Sequence, residues 1–414
     1  MNNFISHTEK ERAEMLASIS CKSCEDLFSH LPETISVFKM DNPLSELQVQ
    51  KEVKALAGKN KTGYAIFTGG GVYNKFIPAA VGYLAQRMEF LTAYTPYQPE
   101  ISQGTLQIIY EYQTMISRLT GMDIANASMY DGGSACAEAV LMAHRIAKGK
   151  KNKALVSNGL NPEYKEVIKT YCWAQDIGIE WFDSLPADLS EYFCVLLQNP
   201  DYYGEITEIK KPDTTLIACA NLSTLAALEP PYDADIVVGD IQPLGISMEF
   251  GGPHAGFMAC KEAYMRQLPG RLVGRTVDSD GKPAYTLTIQ TREQHIKREK
   301  ATSNICSNQS HIALSAALYL SLLGERGFRQ ASVISANLAH ILSDKLAEIG
   351  YKTLNNVFFN EFVIETDDSE KFLKRLKEGG ILGGILLDDK KILVCTTEMN
   401  TEEEINKYIE ISKE

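Results

Sequence analysis

The spacing of hydrophobic positions changes character along this chain, and each change marks a different kind of element. Near the start, Thr8 stands three residues before Glu11 at capping-box spacing, and Met15, Leu16 and Ile19 follow at helical intervals. Pro32 and Pro43 punctuate this arm, and lysines surround Ala55, Leu56 and Ala57. After Gly69-Gly70-Gly71 the apolar residues gather into short unbroken runs at 154–156, 193–197, 216–220 and 235–239. Runs of this kind predict strands buried on both faces. Helix-period segments at 135–148 and 162–175 alternate with them, so the pattern predicts a mostly parallel sheet with helices on both sides. From Gln309 the order shifts again, to helices over 309–323 and 328–349, an apolar run at Phe358–Ile364, a helix over 369–378, a strand at Lys391–Cys395 and a last helix after Thr401. The spacing therefore predicts an α/β protein in three parts: a helical arm (1–62), a large α/β domain (63–308) and a small α+β domain (309–414).

Composition narrows the class. The chain has 414 residues, 44% hydrophobic and 23% charged, with a formal net charge of −12. An acidic balance disfavours nucleic acid or an anionic membrane as the main partner. No apolar run is long enough for a membrane span, and the polar start Met1–Glu11 lacks the features of a signal or transit peptide. Nine cysteines scattered over such a chain read as reduced thiols, and a cytoplasmic protein is expected. One stretch departs from the acidic background: residues 261–300 hold nine Lys/Arg against five Asp/Glu. Its excess, including Arg271 and Arg275, could steer an acidic partner, and a solvated loop with internal ion pairs explains it equally well.

Several common chemistries are absent. The Gly-Lys pairs at 58, 149 and 281 are not followed by the hydroxyl of a phosphate-binding P-loop, and neither G-x-G-x-x-G before a helix nor H-E-x-x-H occurs. Cys21-Lys22-Ser23-Cys24 has no companion pair for zinc. Single histidines such as His254 and His311 are more often structural than catalytic. Three segments keep a chemical reading. Asp131-Gly132-Gly133-Ser134 opens a helix, where free N–H groups make an anion site, or simply a capped helix packed on a sheet. In 92–104, two prolines stiffen a loop carrying Tyr94, Tyr97, Glu100 and Gln103, which suits a binding site or an interdomain contact. Thr302-Ser303-Asn304 follows the basic stretch and could hold a phosphate or cap the next helix.

Taken together and in order, these segments resemble the glycine-cleavage-system P-protein family, and within it the α chain (subunit 1) of the two-subunit bacterial form. The likeness runs from Ile5-Ser6-His7-Thr8 and Gly69–Tyr73 through the long motif Glu89–Gln107, Leu119–Gly132 and Ala301–Cys306 to Phe359–Val363 and Val394–Met399. Cys21, Cys24 and a short segment between Gly384 and Lys391 depart from the expected pattern, away from the chemistry.

The resemblance implies the aspartate-aminotransferase-like fold (fold type I) of pyridoxal-phosphate enzymes. In that fold a strand-end Asp pairs with the pyridine nitrogen and a downstream Lys forms the Schiff base. Here Ala220-Asn221-Leu222 stands where the Asp belongs, and there is neither Lys nor Arg between Lys211 and Lys261. Pyridoxal chemistry needs both an amine and an acid. The resemblance thus implies a cofactor-free α subunit, with pyridoxal 5'-phosphate carried by a partner β subunit (subunit 2) in an α2β2 assembly. The pair would decarboxylate glycine and transfer the aminomethyl group to the lipoyl group of H-protein. Tyr94, Tyr97, Glu100 and Gln103 become interface candidates for the partner's site, and Thr302, Ser303 and Asn304 candidates towards its cofactor phosphate; no metal is implied. The competing expectation is a self-sufficient pyridoxal-phosphate decarboxylase or aminotransferase using an atypical lysine such as Lys261 or Lys300.

Overall fold

Short polar residues set the helix starts. The Thr8 hydroxyl accepts from the Glu11 amide while the Glu11 carboxylate accepts from Thr8, so the helix Glu9–Ser18 opens on a complete capping box. Ser45 and Gln48 do the same for the helix Glu46–Ala57. A computed structural model describes residues 7–31, 40–91, 94–208, 210–305 and 308–413. The chain forms two compact units, Met1–Thr62 and Gly63–Glu414. Ile5, Ser6, Pro32, Thr92, Ala93 and Cys306, named above in the sequence patterns, lie outside the described residues.

The second unit is built on a seven-stranded sheet. Its strands are β1 (Ile124–Ala125), β2 (Lys153–Ser157), β3 (Gly178–Phe182), β4 (Tyr192–Gln198), β5 (Thr215–Cys219), β6 (Ile236–Asp240) and β7 (Gly256–Cys260). They lie in the order β1-β7-β6-β5-β4-β2-β3, parallel from β3 to β6, with β7 antiparallel to both β6 and β1. The unbroken apolar runs are explained by cover on both faces. Val195, Leu216, Ala218 and Val237 point to one core with Tyr112 and Ile116 of helix α1 (Gln103–Thr120). Cys194, Leu196, Ile217 and Val238 point to the other, against α2 (Gly132–Ile146) and α3 (Pro162–Trp173). This is the α/β, mostly parallel arrangement the sequence pattern predicts.

An antiparallel hairpin, β8 (Leu272–Val277) and β9 (Pro283–Thr288), lies within the basic stretch and carries Arg275 and Lys282. A long helix follows, α4 (Ser310–Glu348), with a break in helical geometry at Gly324, where φ is 61°. The break at Gly324 divides this element into the two helices expected here. Ile312, Ala313 and Tyr319 pack into a core of the large sheet. Leu338, Leu342 and Leu346 pack instead under a four-stranded antiparallel sheet. That sheet comprises β10 (Lys352–Thr353), β11 (Glu361–Glu365), β12 (Ile385–Asp388) and β13 (Lys391–Cys395), in the order β10-β11-β13-β12. Helices α5 (Ser369–Glu378) and α6 (Glu402–Ser412) cover it through Phe372, Leu376, Ile405 and Tyr408. Among the described residues no helix is long and apolar enough to cross a membrane.

One buried ion pair ties the segment before the sheet to the end of β13. Lys75, its side chain 3% exposed, places Nζ 2.5 Å from Glu398 Oε2, and Glu398 Oε1 accepts from the Phe76 amide. Removing one partner strands a buried charge. Lys75→Ala is therefore expected to cost about 3–5 kcal/mol in urea unfolding, whereas the apolar double replacement Lys75→Met/Glu398→Leu should recover most of it.

Candidate functional site

In open α/β sheets, ligands bind outside the carboxyl ends of the parallel strands. Here those ends deliver Gln198 from β4, Asn221 just after β5 and Asp240 from β6, facing the start of α2. At that start Asp131 caps the helix, its carboxylate accepting from the Ser134 amide at 2.7 Å. The Gly132 amide donates to Asp240 Oδ2 at 3.0 Å, and the Gln242 amide donates to Asp240 Oδ1 at 2.8 Å. His254 Nδ1 lies 3.5 Å from the same carboxylate. The Asp240 hydrogen bond raises the His254 pKa above the ordinary imidazole value, against the opposing effect of burial. The Gln242 side chain then accepts from the Tyr73 amide and donates to the Tyr73 carbonyl, both at 2.9 Å. The Tyr73 hydroxyl donates to Glu361 Oε2 at 2.7 Å, and the Gly70 amide donates to Glu361 Oε1 at 2.6 Å. Burial pushes the Glu361 carboxyl up to about 7.

What space remains is small. The cavity lined by Tyr73, Asn161, Tyr164, Asn221 and Asp240 holds about 30 Å3, and its neighbour, reached past Tyr73 and Asn221, about 10 Å3. Cofactor pockets run to roughly 300–1,000 Å3. A cleft of about 650 Å3, lined by Lys352, Asp368, Lys371 and Arg375, lies at the small sheet and shares no lining residue with this cavity.

The residues at the strand ends do not fit pyridoxal phosphate. Among the described residues no lysine lines the cavity. Asn221, at the position expected for the ring-nitrogen acid, is an amide whose Oδ1 accepts from Ser223 N–H at 3.0 Å and from its hydroxyl at 2.8 Å; its buried Nδ2 has no partner. Lys261 Nζ is 3.4 Å from Asp235, which Lys211 also engages. Asp235 precedes the first residue of β6 while Asp240 is its last, so Lys261 lies at the opposite end of the strand, on the order of 15 Å away. Lys300 is exposed in the turn Arg298–Lys300, and Lys75, the one buried lysine among the described residues, is held by Glu398. The atypical-lysine reading has no geometry to support it.

The segments proposed as lending residues elsewhere are anchored rather than loose. Tyr94 and Glu100 are exposed. Tyr97 lies on the Arg271 guanidinium, 5.6 Å from ring centre to Cζ, with its hydroxyl 3.4 Å from Arg271 Nη2, and meets His295 edge-on. Gln103 donates to the carbonyls of Pro99 (2.7 Å) and Tyr285 (2.9 Å) and accepts from the Tyr285 amide (2.9 Å). Its amide therefore clamps the loop to β9. Arg271 is only 4% exposed and close to Glu293, so it is no part of a steering surface; Arg275 is exposed and can be. Ser303 donates to the buried Glu138 carboxylate at 2.6 Å, Asn304 is exposed and hydrogen bonds to Tyr171, and Thr302 is half-buried. The structure thus places Tyr97 and Gln103 on the hairpin, and Ser303 on α2. Sequence reasoning missed Asp240, Gln242 and Glu361 and set His254 aside. The signal for Asp240 was present, as an acid closing a fully apolar strand in a region where the fold calls for a lysine.

A family profile described as glycine cleavage system P-protein matches residues 2–412. The chain is 42% identical over 441 residues to a probable glycine dehydrogenase (decarboxylating) subunit 1 of Geobacillus thermodenitrificans, covering 99% of this chain and 98% of that one. It is 44% identical to the protein of the same description from Listeria welshimeri, with the same coverage. A crystal structure of glycine decarboxylase (P-protein) of the glycine cleavage system in inhibitor-bound form superposes with a TM-score of 0.88 at 41% identity, over 99% of both chains. A Lactobacillus brevis glutamate decarboxylase, at 13% identity and a TM-score of 0.65 over 94% and 96% of the two chains, shares the fold alone.

The Gln103 clamp can be tested directly. Gln103→Ala removes the tie between loop and hairpin and leaves the Tyr285 amide unpaired. We expect a loss of about 1–3 kcal/mol in urea unfolding and faster limited proteolysis between residues 94 and 103.

Proposed function

The chain belongs to the glycine cleavage system P-protein family, and from that premise we propose that it is the cofactor-free member of its two-subunit glycine dehydrogenase (decarboxylating). The fold is that of pyridoxal-phosphate enzymes of fold type I, and the relatives' description as subunit 1 implies a second subunit. In this reading the partner β subunit carries pyridoxal 5'-phosphate on its own lysine, in an α2β2 assembly in the cytoplasm. The partner's cofactor supplies the electron sink for glycine decarboxylation, and the aminomethyl group passes to the lipoyl group of H-protein. This chain supplies position: a rigid loop bearing Tyr94, Tyr97 and Glu100, and the segment Thr302-Ser303-Asn304 towards the partner's cofactor phosphate.

The observation that carries the proposal is the lysine-free cavity of about 30 Å3 where the fold would hold its cofactor. A second observation supports the partner. Between residues 76 and 101 large apolar side chains face outward, among them Phe76, Tyr83, Met88 (81% exposed), Leu91 and Ile101 (80%). Exposed apolar side chains gathered in one segment suit an interface, and the segment runs in sequence into the loop proposed to reach the partner's site.

Two experiments follow. Borohydride treatment of the two-subunit enzyme and peptide mass mapping should find the pyridoxyl-lysine on the partner; the same label on any lysine of this chain refutes the reading. This chain alone should neither decarboxylate glycine nor exchange its carboxyl group. Separately, Met88→Asp and Ile101→Asp should each weaken subunit association about tenfold or more, seen by analytical ultracentrifugation, because each buries a charge at an apolar contact.

A further inference from the structure

An absent lysine does not by itself close a pocket; a group at the start of α2 does. The first amides of a helix have no intrahelical acceptor and carry partial positive charge. At α2 the Asp131 side chain takes the Ser134 amide. The Gly132 amide stays inside, beneath the Tyr164 ring; a Cβ on Gly132 would come within 2.3 Å of the Tyr164 hydroxyl oxygen. Buried and unmet, such a donor is costly. Asp240 meets it at 3.0 Å, from the end of β6, with its own carboxylate 8% exposed. The other carboxylate oxygen takes the Gln242 amide, and His254 stands 3.5 Å away. Two backbone amides, one of them at a helix N-terminus, and an imidazole converging on one anionic group form a donor set that suits a phosphate ester.

We propose that the start of α2 is a phosphate-type anion cradle which this chain fills with its own Asp240 carboxylate, and that this internal anion keeps the cavity shut to phosphate esters. The inference rests on the proposed function, in which the cofactor belongs to the partner, and goes beyond it by naming the group that closes this chain's own pocket. The nearby Asp131 carboxylate opposes a second anion and limits how tightly an opened cradle can bind. The orphaned Asn221 Nδ2 lines the same cavity as a further donor.

The test uses the full chain and inorganic phosphate, titrated at constant ionic strength against chloride. Asp240→Ala should bind phosphate saturably, seen as a rise in its thermal midpoint and broadening of the phosphorus-31 resonance. Its Kd should be about tenfold lower for phosphate than for chloride, because the phosphate carries roughly twice the charge. The unsubstituted chain and Asp240→Asn, whose side chain fills the same space and keeps an oxygen on the Gly132 amide, should not respond. If Asp240→Ala does not fold, Asp240→Ser, whose shorter polar side chain leaves the Gly132 amide open, is titrated in its place and should bind phosphate likewise. Folded Asp240→Ala or Asp240→Ser that treats phosphate like chloride overturns the inference, as does equal phosphate binding by the unsubstituted chain. Either result leaves the borohydride mapping untouched, so failure of the cradle and failure of the partner-cofactor reading are separable.

Discussion

A buried backbone amide needs an acceptor, and at the carboxyl ends of the parallel strands this requirement organises the molecule. The start of α2, the turn after β6 and the segment Gly70–Tyr73 all bring N–H groups into a place that water does not reach freely. Each finds its acceptor within the chain: Gly132 and Gln242 on Asp240, Tyr73 on Gln242, Gly70 on Glu361. Because Glu361 opens β11 of the small sheet while Asp240 closes β6 of the large one, satisfying these donors also joins the two sheets. An unfilled position in such a network costs more than a typical hydrogen bond contributes, so the network is stable only when complete.

That completeness has a functional consequence. Here Asp240 spans α2, the turn after β6 and His254 at once, and the remaining space is of the size of a water molecule rather than a cofactor. In the reading proposed above, this suits a subunit whose contribution lies at its surface, where the outward apolar side chains from Phe76 to Ile101 and the anchored loop after Tyr94 are found.

Much of this architecture was legible in the sequence, for physical reasons. Strands covered on both faces need continuous apolar runs, so 193–197, 216–220 and 235–239 announced β4, β5 and β6 within a residue or two. Thr8 with Glu11 announced a capping box because that motif is local. The cofactor question was also partly legible, since the absence of lysine between residues 211 and 261 needs no coordinates. What stayed hidden depends on contacts distant in sequence. Asp240 meets Gly132 across 108 positions, and Tyr73 meets Glu361 across 288. The local pattern marks Asp240 as an acid closing an apolar strand, but not the helix start it meets.

Arg271 shows the same limit from the other side. Counted with its neighbours, it contributes to a basic stretch that looks like a steering surface. In the structure it is buried beside Glu293 with Tyr97 across its guanidinium, and Gln103 is bonded to Tyr285 six residues further along the same loop. The loop thus has two anchors, one at the residue before β8 and one within β9. A residue on such a loop can be offered to a neighbouring subunit in a fixed position, with little ordering left to do on contact. The buried arginine matters less as a charge than as the surface on which Tyr97 is laid.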